Sequence, residues 1–158
     1  MRASRRLLAA GLVAVAAALA GCGIQIPSDP DGTLDRVTGG TLRAGATHHP
    51  PHTDTSSAAP TGREIDLVAS FAESIDVDVV WTVGSEEQLV GMLEEGELDL
   101  VVGGFSDRTP WAEQAALPRP YADAPQPDGA PRGLVMLTPM GENAFLSALE
   151  RHLDEATR

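Results

Sequence analysis

The run Leu93-Glu94-Glu95-Gly96-Glu97-Leu98-Asp99-Leu100-Val101-Val102-Gly103-Gly104 packs a helix end, a strand and a small-residue turn into one short stretch. Upstream, Leu89, Met92 and Leu93 share a helical face, Ser85 with Gln88 has the spacing of a capping box, and Gly96 is placed to end the helix. Leu98 to Val102 is too apolar for a solvated sheet face, so it reads as a strand buried on both sides. One unit earlier the pattern repeats. Thr41 to Ala46 (TLRAGA) reads as a strand, and a Pro, Ser and Thr loop follows over 50–61. Thr61 with Glu64 again has the capping-box spacing, and Ile65, Val68, Phe71, Ala72 and Ile75 recur at helical intervals, predicting a helix over 62–75. Val77 to Val83 (VDVVWTV) alternates and is rich in β-branched residues, which predicts a strand. Two βα units in succession, with strands this apolar, predict a parallel sheet flanked by helices. After Tyr121 the pattern fails for ADAPQPDGAPR; then 133–138 (GLVMLT) predicts one more strand and 144–153 one more amphipathic helix. The expected fold is α/β: one small domain with a mainly parallel sheet of about four strands.

Outside this domain lies a different kind of sequence. Arg2, Arg5 and Arg6 form a basic start, and Leu7 to Ala20 is an apolar run too short to cross a bilayer as a helix. It ends in Leu19-Ala20-Gly21-Cys22, which resembles the lipobox of bacterial lipoproteins, and Cys22 is the only cysteine. Residues 1–21 are therefore expected to be a signal peptide and Cys22 a lipidated residue. Acyl chains would then hold the protein on the extracytoplasmic side of a membrane that it does not span. Residues 22–40, with Pro27, Pro30 and an Asp-Pro-Asp-Gly turn, are expected to be a tether. That leaves 41–158 as the domain.

Charge excludes several function classes. The chain has 11 cations, all Arg, against 23 acids, a net charge of −12. A phosphate backbone is bound by clustered cations, so nucleic acid is not an expected partner. Removing residues 1–21 takes away three Arg and no acid, so anionic headgroups would repel the mature chain. A single Cys rules out a disulfide framework and any Cys-based metal cluster. Enzyme signatures are missing as well. Gly103-Gly104-Phe105-Ser106-Asp107 lacks the spaced glycines of a nucleophile elbow, and neither Gly-Gly pair opens a phosphate loop or a dinucleotide fingerprint. The carboxylates from Glu86 to Glu97 read as a solvated helix face. No catalysis, cofactor or metal is expected.

The order of motifs resembles the bacterial family 3 extracellular solute-binding proteins, most of which serve ABC importers for amino acids. The matching residues are Leu42-Arg43-Ala44-Gly45, His49-Pro50-Pro51-His52, Gly62-Arg63-Glu64-Ile65-Asp66-Leu67, the run from Leu93 to Gly104, Pro120-Tyr121, and 140–149 (MGENAFLSAL). The resemblance implies a periplasmic-binding-protein type II fold, of which only the first lobe is present. A second lobe of about one hundred residues would enter after Tyr121, where this chain has only the short connection 122–132. It also implies a small polar solute, such as an amino acid, and an ABC permease or another envelope protein as partner.

Ligands of open parallel sheets sit beyond the carboxyl ends of the strands where strand order reverses. With an order of 2-1-3, that place lies between the loop carrying His49 and His52 and the loop carrying Gly104, Ser106, Arg108, Thr109 and Trp111. In the family, aromatics of the first loop pack on the solute, a hydroxyl near Ser106 bonds it, and an Arg three residues after a Thr clamps a carboxylate. Here Ala112 holds that position, and Arg108, before Thr109, is the available bidentate donor. Each residue also has a plainer reading. His48, His49 and His52 suit a solvated loop, Trp111 suits the core as well as a ligand, and Arg108 suits a surface ion pair with Asp107 or Asp99. His152 suits packing on the last helix. Two functions remain: a one-lobe solute binder, or an interaction module that has lost solute binding and contacts another envelope protein.

Overall fold

The computed structural model describes residues 29–125 and 130–158; residues 1–28, with the expected signal peptide and Cys22, lie outside the described residues. The elements in chain order are α1 (Thr33–Thr38), β1 (Thr41–Ala46), α2 (Arg63–Ser74), β2 (Asp78–Val83), α3 (Glu86–Glu94), β3 (Leu100–Ser106), a 3-10 turn (Pro110–Glu113), β4 (Ala122–Ala124), β5 (Arg132–Leu137) and α4 (Asn143–Ala156). The fold is the expected α/β class.

One sheet of five strands runs in the order β2-β1-β3-β5-β4. β1 lies parallel to both β2 and β3, with Leu42 opposite Val79 and Ala44 opposite Leu100. β5 is antiparallel to β3 and to β4, so four strands point one way and β5 the other. The fifth strand, β4, occupies the start of the segment read as connection; three residues are too few to show a two-residue period. Ala124 pairs with Arg132, so β4 and β5 lie side by side at the position where the resemblance would place a second lobe. Leu134 pairs with both Ser106 and Ala122, so the pairing of Ala124 with Arg132 lies beyond the carboxyl end of β3.

Helices cover both faces of the sheet, as the apolar strands require. On one face Leu42, Ala44, Leu100, Val102 and Met136 meet α1, α2 and α4 through Val37, Val68, Phe71, Phe145 and Leu149. Phe71 and Phe145 meet edge-on at 5.9 Å. On the other face Val101, Phe105, Val135 and Leu137 pack on Leu89, Val90 and Leu93 of α3. His152 packs on Phe71 and shares a 2.8 Å hydrogen bond with the Ser70 hydroxyl, the packing role expected of it.

Two local expectations are corrected. Residues 33–38, placed in the tether, form α1, whose Val37 is fully buried. The Glu142 carboxylate, far along the chain, accepts from Thr33 N in the first turn of α1 at 2.9 Å and from Asp31 N just before it at 3.0 Å. Asp29 in turn accepts from Leu34 N at 2.7 Å and from Phe145 N, in the first turn of α4, at 3.3 Å. The second correction concerns α2. Its N-cap is Gly62, without a side-chain cap, because Thr61 pairs with Asp54 and Glu64 turns into the interior. The Ser85 cap of α3 forms as expected, its oxygen accepting from Gln88 N at 3.3 Å, and Gly96 follows that helix in the left-handed region with φ 71°.

Candidate functional site

The sheet reverses its winding at β1, as the 2-1-3 order requires, and the loops after β1 and β3 meet there. Thr47 N donates to Val102 O at 3.0 Å, and the Thr53 hydroxyl donates to Thr47 O at 2.6 Å, which folds the first loop back on itself. His49 N donates to Thr53 O at 2.9 Å, and the His49 and His52 rings stack at 5.8 Å. Only glycine fits the opposing turn. A side chain on Gly103 would overlap the Thr47 methyl, and Gly104 has φ +65° with His49 Cδ2 2.5 Å from where a Cβ would stand. His49 and Gly104 are thus in direct contact.

Beyond Gly104 the chain makes a tight turn. Thr109 N donates to Ser106 O at 2.9 Å and Arg108 N to Ser106 Oγ at 3.3 Å. Thr109 Oγ1 accepts from Trp111 N at 3.5 Å and so opens the 3-10 turn. The Trp111 indole donates to Glu86 Oε2 at 2.9 Å and lies half-buried against the α3 side of the core, beside this turn. Arg108 is exposed, and its side chain forms no ion pair among the described residues. The expected pairing with Asp99 does not occur. Asp99 sits at the other end of β3, fully buried, and accepts from Arg43 Nη2 at 2.6 Å and Arg36 Nη2 at 2.8 Å. His48 also turns away from the contact, toward Thr55 N at 3.2 Å.

Glu64 was not singled out as a site residue by the sequence, yet it ties the site together. It is fully buried beneath the turn; Oε2 accepts from Gly104 N at 2.8 Å and Oε1 from the Tyr121 hydroxyl. Burial raises its pKa, and the bonds from Tyr121 and Gly104 only partly oppose that, so the carboxyl titrates above its ordinary range. The Tyr121 hydroxyl is pushed upward by burial and by Glu64. A signal existed: Glu64, Val68 and Phe71 recur at i, i+4 and i+7, which puts a carboxylate on the apolar face of α2.

Two concavities lie elsewhere. One of about 530 Å³ opens at the opposite end of the sheet beside Arg36, Glu95, Gln114 and Met140, and one of about 520 Å³ runs along α2 and β2 beside Ala69, Glu73 and Asp78. Among the described residues no group of three His, Cys, Asp or Glu could hold a metal ion.

Residues 42–157 match the family profile described as bacterial extracellular solute-binding proteins, family 3. The chain belongs to this family. No curated protein matches it. Among solved structures, a single-site variant of the arginine-bound form of domain 1 from TmArgBP superposes with a TM-score of 0.69 at 18% identity, covering 78% of this chain and 97% of that one. The ancestral amino acid-binding protein AncCDT-1, described as a precursor of cyclohexadienyl dehydratase, superposes with a TM-score of 0.67 at 16% identity, covering 78% and 92%. A Salmonella typhimurium periplasmic binding protein described for its high arginine specificity superposes with a TM-score of 0.64 at 12% identity, covering 73% and 92%. At these identities the likeness establishes the fold: this family 3 chain has the architecture of a first binding-protein lobe. Membership in an extracellular family implies an exported protein. No helix among the described residues is long and apolar enough to cross a membrane.

Within the family 3 fold, the expected contact residues fall into two groups. His49, His52 and Gly104 are brought together at the loop contact, while Ser106, Arg108 and Thr109 line the adjoining turn and Trp111 closes its far edge.

Proposed function

We propose that this chain is a solute-binding lipoprotein, anchored through Cys22, that holds a small polar solute such as an amino acid in an open half-cleft between residues 47–52 and 104–111. One observation carries the reading: Arg108 stands exposed, without an ion-pair partner among the described residues, on a turn fixed against the His49 loop, at the point where the sheet reverses. A guanidinium with no internal partner is a ready bidentate donor to a carboxylate. The Ser106 and Thr109 hydroxyls supply neutral hydrogen bonds beside it, and the His49 and His52 rings supply a flat wall. The arginine-bound description of domain 1 from TmArgBP supports solute binding by a first lobe alone. The Leu19-Ala20-Gly21-Cys22 motif supports the anchor.

Amide NMR titration of residues 23–158 with arginine and with pooled amino acids tests the site. Shifts clustered at 47–52 and 104–111 are expected, at millimolar concentration because the site is open, and Arg108→Ala should weaken them at least tenfold. A Cys22→Ser chain should leave the membrane fraction. The β4–β5 pairing, which stands where a second lobe would enter, favours a second reading, an interaction module whose partner is another envelope protein or an ABC permease. No clustered shift with any pool would support that reading and reject the first.

A further inference from the structure

We infer that the domain stands base-down on its membrane, with the half-cleft opening away from the bilayer. This rests on the lipid anchor at Cys22. The anchor and the half-cleft enter the molecule at opposite poles. α1 leads directly into the amino end of β1, so the braced segment 29–38 lies beneath the sheet. Val101 pairs with Leu137, so the end of β5, and with it Glu142 at the start of α4, lies at the same lower pole. The half-cleft loops leave the carboxyl ends of β1 and β3, at the upper pole.

The brace shortens the tether. Residues 29–38 cannot act as a spacer, because Asp29, Asp31, Thr33 and Leu34 are hydrogen-bonded to the body of the domain and Val37 is buried in it. Six residues then separate Cys22 from Asp29, and even fully extended the seven chain steps between them reach only about 25 Å. β3 alone spans about 23 Å from pole to pole, and the loops add to that at both ends. Such a tether reaches the bilayer easily from the lower pole. Turning the domain over would stretch it past its limit. The exposed Glu94, Glu95 and Glu97 of the lower pole are repelled by anionic headgroups, so the domain stands off the surface and does not lie flat on it. A partner embedded in the same bilayer therefore meets the lower pole first, and a solute reaches the half-cleft from the bulk side.

The test uses the lipidated full chain in vesicles that carry a headgroup energy acceptor. Cys22 is the only cysteine and its thiol is consumed by the lipid, so one new thiol labels one place: Glu95→Cys at the lower pole or Ser56→Cys in the loop after β1. Energy transfer to the bilayer should be at least twofold greater from position 95 than from position 56. A flexible insertion of about twenty residues after Gln25 should erase the difference. Equal or reversed transfer from a chain that floats with the vesicles overturns the orientation alone. A chain that floats no better than its Cys22→Ser variant overturns the anchor and the orientation together.

Discussion

Asp99 shows how one buried charge sets the acid limb of stability. Burial by itself would raise its pKa, but the hydrogen bonds from Arg43 and Arg36 outweigh that and hold it below the ordinary carboxylate range. A folded-state pKa below the unfolded value adds stability that is complete above the unfolded pKa and is lost as pH falls through the folded one. Asp99→Asn should therefore lower stability by about 1–3 kcal/mol at neutral pH, the scale of a charged hydrogen bond left half made. Because asparagine does not titrate, the variant should lose less stability than the parent as pH drops below about 4, which urea midpoints across pH would measure. Glu64 has the opposite sign: its raised pKa makes its ionisation a cost that grows as pH rises. Asp99 lies in a motif the sequence displays, but its partners, 56 residues away for Arg43, are set by strand pairing that no local pattern records.

At the scale of elements, α2, β2, α3, β3, β5 and α4 were legible because each buries a face with its own period. α1 and β4 were not, for two different reasons. A three-residue strand has no room for a period, and α1 is a six-residue helix that has only left-handed Gly32 at its N-cap and draws the acceptor for its first amide from Glu142, far along the chain. Short helices are marginal alone and depend on packing. Glu142→Ala removes the acceptor of the first α1 amide, Thr33 N, and of Asp31 N just before the helix, so it should cost about 1–2 kcal/mol, the usual worth of a cap. Hydrogen exchange should then show residues 33–38 opening before the sheet does; unchanged protection there would refute the dependence. The loop contact of the half-cleft was legible from the position of the sheet reversal, whereas the buried Glu64 beneath it needed the helix face to be read for its one polar member.

For the whole molecule, the proposed binding by a lone lobe would have nothing to close. Two-lobed clefts trap their solute by hinge motion, and here the two strands that would lead across are zipped into a hairpin. Saturating solute should therefore leave the radius of gyration unchanged in solution scattering; a contraction would mean that a second copy supplies the missing wall. The two-faced core itself was plain in the sequence, since strands as apolar as β3 and β5 leave no side for water.

That hairpin also suggests how such a chain could arise. Ala124 and Arg132 stand opposite each other on adjacent strands, already in register. One in-frame deletion between two such positions would excise an entire lobe in a single genetic event and leave every layer of the remaining core intact. The same register is then a natural splice point in reverse, where an inserted domain would enter between two strands that stay paired.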